Sequence, residues 1–284
     1  MSLTSDYTFR LGATGVVLNT DVSVPFVDIT KVTGLASASY RETERDHEGQ
    51  DGGFMDAEFE KGRHISLEGT VYANPSIMEI YLDSLKANFA PVSDPVPFYL
   101  LSPGVSTRIV FVKSLGVRYD WDSARRTGSA DIVFVMFAED PRQYSEALVQ
   151  TEIDLQLDAD TGFGFPFGFP LSFGSSVMPS VTTVTNSGNR PTPPVHVMPG
   201  PVTDPRVVKI DTNEVLAFNI IVAAGQTLRA NTINRTVMLD NANRYDTLVR
   251  DDWFSLDPGG NDIAYRAESS SPATLTVEHR HAWR

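Results

Sequence analysis

From Tyr7 to Phe137 the apolar residues fall in short runs that alternate with polar ones and are bounded by Gly, Asp and Pro. That period of two fits half-buried strands and no helix. In the stretch His64-Ile65-Ser66-Leu67-Glu68-Gly69-Thr70-Val71, Ile65, Leu67 and Val71 all point to one side of a strand and the polar residues to the other. The runs Arg108–Val112 and Asp131–Phe137 are almost continuous in apolar, β-branched residues. They predict strands buried on both faces, at the centre of a first sheet.

One segment breaks the alternation. Ile77, Ile80, Tyr81, Leu85 and Phe89 recur at three-and-four spacing, and Asn74 and Pro75 suit a cap and a first helical position. The spacing predicts a helix over about residues 75–89 with that face on the sheet. Pro91, Pro95 and Pro97 then end it, because each removes a donor and disfavours helix in the residue before it. After residue 174 strand-like runs resume at 181–186, 195–198, 206–210, 215–222, 232–239 and 273–280. Regular short strands separated by turn residues predict a sandwich or barrel.

A chain of 284 residues supports two cores. The expected organisation is a β domain with one helix over 1–150, a junction over 151–174 and an all-β sandwich over 175–284. The junction alternates Phe163, Phe165, Phe167, Phe169 and Phe173 with Gly and Pro, which no helix or central strand tolerates. Leaving those rings in water costs about 2 kcal/mol each, so they are expected to be wedged between domains or subunits. The segment 41–53 is almost free of apolar residues and predicts an exposed loop or hairpin arm. Long polar loops in compact domains tend to be functional, which makes Arg41, Glu44, Arg45, Asp46 and His47 candidate subunit contacts.

No cysteine is present, which removes disulfides, thiolate zinc sites and cysteine nucleophiles. The formal charge of −13 disfavours a phosphate-backbone binder, which needs clustered Lys and Arg. No apolar stretch reaches the ~20 residues of a membrane span, and the opening residues lack a signal-peptide pattern. The expectation is a protein made in the cytoplasm without membrane insertion. No nucleophile elbow, Walker loop, dinucleotide fingerprint or His-Glu-x-x-His occurs.

His279-Arg-His281 sets two imidazoles on one strand face without a third ligand, and Asp158-Ala-Asp160 opens like a calcium loop without its closing Glu. Both read as structural, so no catalytic residue, cofactor or metal is assigned. Asn234-Arg-Thr236 is a sequon without a secretory context, and Pro191-Thr-Pro-Pro194 reads as a stiff edge preceding a strand.

Several ordered segments resemble the distal tail protein family of long, flexible-tailed bacteriophages. Val135-Met-Phe137-Ala-Glu-Asp140-Pro141-Arg-Gln-Tyr144 is similar to the family's strand, Asp-Pro turn and aromatic. Asn186-Ser-Gly188-Asn-Arg-Pro191 followed by Pro194-Val-His-Val resembles its Asn-x-Gly, proline and strand segment. Ala224-Gly225-Gln-Thr-Leu228 leading into 235–241 resembles its hairpin, and Trp253-Phe254-Ser-Leu256-Asp-Pro258-Gly259-Gly260-Asn261 its element near the C-terminus. Apart from any family, Pro258-Gly259-Gly260 suits a tight reversal that an Asn261 side chain can hold.

The resemblance implies a mainly β protein. Its first domain would be a tail-tube-like β-barrel or sandwich with one packed helix, and its second a galectin-like β-sandwich. It implies a virion structural protein of the tail tip, assembled in the host cytoplasm as a homohexameric ring with the second domains outward. That ring would join the tail tube and tape-measure protein to the hub or tip protein, with a receptor-binding protein as a further partner. DNA would pass through the lumen without specific binding, which the acidic balance suits. A glycan-binding adhesin module, or a glycoside hydrolase with an attached sandwich, is the alternative reading. The family residues Asp140, Pro141, Tyr144, Asn186, Gly188, Phe254, Leu256, Pro258, Gly259 and Asn261 are expected to maintain the fold.

Overall fold

The fold comes from a computed structural model that describes residues 3, 5–20, 24–36, 39–41, 44–47, 49–51, 53–55, 59–119, 126–157, 181–268 and 273–284. Two compact units emerge, Met1–Glu146 with Trp283–Arg284, and Ala147–Ala282. Both are β structures, and no helix among the described residues is long and apolar enough to cross a membrane.

The first unit contains β1 (Thr8–Leu11), β2 (Val17–Leu18), β3 (Phe26–Thr33), β4 (Tyr40–Arg41), β5 (Glu44–Asp46), β6 (Gly53–Met55) and β7 (Phe59–Glu60). It continues with β8 (Arg63–Tyr72), α1 (Met78–Asn88), β9 (Val96–Leu101), β10 (Arg108–Tyr119), β11 (Ser129–Ala138) and β12 (Gln143–Ser145). The main sheet runs β2-β1-β9-β10-β11-β8-β3, and these neighbours are antiparallel. β10 serves both halves: Arg108–Val112 pair with β9, and from Lys113 onward the strand pairs with β11. A bulge between Ser114 and Gly116 makes the bend, and Gly116 takes the positive φ of 114° that it requires.

At the far edges, Asn19 N–H donates to the Val27 carbonyl at 2.9 Å, and Asn19 Oδ1 accepts from Ile29 N–H at 3.1 Å. The end of β2 is thereby tied to β3, which curls the sheet toward closure.

Of the two runs expected to be buried on both faces, Arg108–Val112 has the adjacent Ile109 and Val110 both buried, whereas Asp131–Phe137 is buried on one face. In β11, Ile132, Phe134, Met136 and Ala138 are buried while Val133, Val135 and Phe137 are half-buried. The helix covers only one face of the sheet; on the other, Phe137 packs on the His64 ring at 4.8 Å. Of the predicted stripe, Leu85 and Phe89 are buried and Tyr81 packs half-buried against the core, but at its start Met78 and Leu82 take the inward places expected of Ile77 and Ile80. Met78, Leu82, Leu85 and Phe89 are buried, with Phe89 against Phe134 at 4.5 Å, whereas Ile80 is 70% exposed and Ile77 38%.

The reason lies at the start of the helix. Asn74 opens a preceding turn, its carbonyl accepting from Ile77 and Met78 N–H and its Oδ1 from Ser76 N–H, so α1 itself begins at Met78. Leu82→Ala should therefore cost about 3 kcal/mol in urea unfolding and Ile80→Ser less than about 0.5. Equal costs would restore the predicted face.

The second unit begins earlier than residue 175, because Val149–Leu157 is one of its strands. Residues 149–154 pair antiparallel with 274–279, and 155–157 pair parallel with 265–267. This strand joins two sheets, one carrying 195–199, 227–231, 236–239 and 274–279, the other 181–186, 206–209, 214–218, 248–251 and 259–267. Side chains of both sheets, among them Ile153, Val184, Met198, Leu216, Tyr265 and Val277, make one core with Phe254 from the connection between strands 248–251 and 259–267.

Within that unit, the run 232–239 is a turn followed by Thr236–Leu239 rather than one strand, because Asn231 Oδ1 accepts from Ile233 and Asn234 N–H and Arg235 has φ 50°. Gly259 and Gly260 open the strand Gly259–Ala267 instead of sitting wholly in a reversal. The rest of the aromatic junction, including Phe163, Phe165, Phe167, Phe169 and Phe173, lies outside the described residues.

Candidate functional site

Most of the second-unit residues singled out in the sequence meet in one buried network. Asn186 sits at the end of strand 181–186 with its side chain fully buried. Its Nδ2 donates to the carbonyls of Arg190 at 2.7 Å and Leu256 at 3.2 Å. Its Oδ1 accepts from Gly188 N–H at 3.0 Å and Ala282 N–H at 3.3 Å. A Cβ on Gly188 would stand 1.8 Å from the Ala282 carbonyl oxygen, so only glycine fits there.

Two register steps away in the ladder, Asn261 holds the Pro258-Gly259 turn. Its Oδ1 accepts from Asp257 N–H at 2.8 Å, and its Nδ2 donates to the carbonyls of Asp257 at 2.9 Å, Gly259 at 3.2 Å and Val184 at 3.3 Å. Leu256 and Phe254 are buried in the core, and the Leu256 backbone pairs with Thr192. The arrangement satisfies backbone groups where three chain segments meet. It presents no reactive atom to solvent.

Sequence reasoning missed Lys209, which is buried at the same place and donates to the Ser255 carbonyl at 3.0 Å and to the Asp257 carboxylate. The signal was a lysine ending the apolar run Val207-Val208.

In the first unit, the Asp140-Pro141 turn is held by its own side chains. Asp140 Oδ1 accepts from Arg142 N–H at 3.0 Å, and Tyr144 Oη donates to Asp140 Oδ2 at 2.6 Å. Burial, then the neighbouring Asp140 carboxylate, holds the Tyr144 phenol well above its ordinary range. Burial pulls on the Arg142 guanidinium in the downward direction, but Asp140 first, then Tyr144 and Glu60, outweigh it and raise its pKa.

The polar segment 41–53 belongs to an arm of two short ladders. β4 pairs with β7 (Tyr40↔Glu60, Arg41↔Phe59), and β5 pairs with β6 (Glu44↔Met55, Arg45↔Phe54, Asp46↔Gly53). Neither ladder pairs with another described strand. Arg41 is exposed and His47 half-buried; of Glu44, Arg45 and Asp46 the backbone alone is described. Phe59, near the arm's root, is also exposed.

Among the described residues no group of three or more His, Cys, Asp or Glu could hold a metal ion. His279 is buried with Nε2 3.1 Å from the Thr185 carbonyl, and His281 Nδ1 accepts from Ser187 N–H at 3.1 Å, so both rings serve the backbone. Trp253 is half-buried beneath Tyr245, their rings 6.4 Å apart and near-parallel. Trp283 belongs to the first unit.

Residues 187–283 match the family model described as siphovirus-type tail component, C-terminal domain. No curated protein matches the chain. Among solved structures, the chain is similar to the Dit protein of phage SPP1, described as a paradigm of hub adsorption apparatus in phages infecting Gram-positive hosts. The match has a TM-score of 0.64 at 14% identity, over 96% of this chain and 98% of that one. It is also similar to a chain of the phage P2 baseplate in its activated, calcium-bound conformation, with a TM-score of 0.51 at 11% identity over 96% and 98% of the two chains. The resemblance to distal tail proteins therefore holds in sequence over the C-terminal third and in fold over nearly the whole chain. The proteins it resembles are structural parts of phage tails and baseplates.

Proposed function

We propose that this chain is a structural component of a bacteriophage tail tip or baseplate, in which first units assemble as a homohexameric ring joining the tail tube to the hub or receptor-binding apparatus. The match of residues 187–283 to a siphovirus-type tail component carries the reading, and the shared fold across both units supports it. On this reading the protein is not an enzyme and resides in the virion, with the tail tube, tape-measure and tip proteins as neighbours and DNA crossing the lumen unbound.

The arm supports self-assembly on physical grounds. A two-stranded ladder on its own is marginal in water, and β4–β7 and β5–β6 gain no third strand among the described residues. A neighbouring subunit supplies the missing contact. Contacts in which one surface of each copy meets a different surface of the next close into a ring when the rotation between copies divides a full turn.

Light-scattering mass across a concentration series, with negative-stain imaging, tests the ring directly. The expected result is a sixfold particle with a central hole. A species that stays monomeric at the highest soluble concentration overturns self-assembly. Replacing Arg41, Arg45 and His47 together by Ser should shift the mass toward monomer without changing the unfolding midpoint, since Arg41 is exposed and His47 only half-buried.

A further inference from the structure

Glu60 lies at the root of the arm, paired in register with Tyr40, and the next backbone bond, Lys61 N–H to the Ser39 carbonyl at 2.8 Å, joins the arm to the body of the unit. Its side chain is only 5% exposed, and a carboxylate so placed needs cationic and hydrogen-bonding partners to be tolerated. Arg284 supplies them: its Nε donates to Glu60 Oε1 at 3.0 Å, and its guanidinium covers the Tyr40 ring at 4.9 Å. Tyr40 Oη donates to the same Glu60 oxygen at 3.4 Å. Arg142, from the Asp140-Pro141 turn, also senses the Glu60 charge.

The preceding residue is anchored as well. The Arg108 guanidinium lies 4.6 Å from the Trp283 ring, and Arg108 Nη1 donates to Gln143 Oε1 at 3.0 Å. Gln143 Nε2 donates to the Leu35 carbonyl at 3.2 Å, and that carbonyl also accepts from Arg63 Nη1 at 2.9 Å. Leu35 precedes the arm and Arg63 follows it. The contacts of residues 283 and 284 thus reach both chain segments at the arm's root.

We infer that Trp283 and Arg284 form a clasp on Glu60 and Tyr40 that fixes the root of the arm, so that residues more than 220 positions away in sequence decide how residues 44–55 are presented to a neighbouring subunit. This rests on the arm being a subunit contact, as proposed above; the clasp itself does not. A hydrogen-bonded ion pair with one buried partner resists opening more than a rim pair, because breaking it strands the buried charge. Phe59 and Arg41, one register step further out, inherit the orientation set at Tyr40 and Glu60.

Amide hydrogen exchange of the full chain tests the clasp. Wild type, Arg284→Ala, Glu60→Gln and the control Arg229→Ala, which removes a comparable pair with Glu278 in the second unit, are compared at one concentration with solution mass recorded in parallel. In both clasp variants exchange over 40–46 and 53–60 should accelerate about tenfold while β8 and β11 keep their protection, and Arg229→Ala should leave the arm unchanged. The double variant should be no faster than Arg284→Ala alone.

Arm exchange within about twofold of wild type in both variants overturns the clasp, as does a loss of protection spread equally over β8 and β11. The two readings fail separately. A monomeric wild type whose arm still depends on Arg284 removes the ring and keeps the clasp; a ring whose arm ignores Arg284 does the reverse.

Discussion

Asn186→Ala should lower the stability of the second unit by about 4 kcal/mol and its melting temperature by roughly 10 °C. The side chain is fully buried and makes four bonds, all to backbone groups: the carbonyls of Arg190 and Leu256 and the N–H groups of Gly188 and Ala282. Alanine removes all four bonds in a place water does not reach; the Leu256 carbonyl keeps the Thr192 N–H, and each group left orphaned costs about 1–3 kcal/mol, partly relieved by relaxation. Asn186→Asp should do no better, because it forfeits both donors and buries a charge.

Gly188→Ala attacks the same junction sterically, its Cβ meeting the Ala282 backbone, and should fall at least as far. Asn231→Ala is the matched control, since that side chain caps an exposed turn, and should cost less than about 1 kcal/mol. Thermal and urea unfolding of the purified variants give the ranking. An Asn186→Ala loss no larger than the control's would mean that the network does not hold the unit together.

The strands were legible because one-sided burial writes itself as alternation. Ile65, Leu67 and Val71 turn inward as their spacing requires. The same logic misled at Asp131–Phe137: a continuous apolar run says that both faces avoid water, not that both are equally covered, and the second face here is half-buried. The helix stripe was misread because Ile77 fits three-and-four spacing whether or not the helix has begun. The Asn74 turn delays it to Met78, and Met78 and Leu82 replace Ile77 and Ile80 at the start of the stripe while Leu85 and Phe89 stay inward as expected.

Strand 149–157 is masked in the sequence by its neighbour, the Phe-Gly-Pro stretch, whose composition gives no strand pattern. The candidate site divides in the same way. Asn186, Gly188 and Asn261 could be singled out, but that Asn186 and Asn261 flank one ladder emerges only from the register Val184↔Asn261 and Asn186↔Gly259. Nothing local marks Glu60 or Arg284, because their meaning is a contact across 224 positions.

Acid should selectively destabilise the second unit through His196. The residue occupies an inward position of strand Val195–Pro199, between Ala230 and Val277 on the neighbouring strands, with the Phe254 ring 5.3 Å away. It is fully buried and neither ring nitrogen has a hydrogen-bond partner among the described residues, so burial pushes its pKa down to about 4.

The sign follows from which state binds the proton. Above the ordinary histidine value of 6.5 the ring is neutral in both states and contributes no pH dependence. As pH falls from there to about 4, the unfolded chain takes up a proton that the folded chain refuses, and stability drops; below that both states are protonated and the loss levels off. The full drop is about 3 kcal/mol. His279 adds to it in the same direction, its pKa lowered foremost by burial and further by His281, against the opposing Thr185 carbonyl.

His196→Met removes the titrating group while keeping an apolar side chain of similar size. Urea midpoints of wild type and variant at pH 7 and pH 4.5 isolate the effect, because carboxylate titrations common to both proteins cancel in the difference. The variant should match or exceed wild type at pH 7 and lead it by about 2–3 kcal/mol at pH 4.5. Parallel pH profiles for the two proteins would show that the folded unit accepts the proton, and the buried neutral imidazole would have to be abandoned.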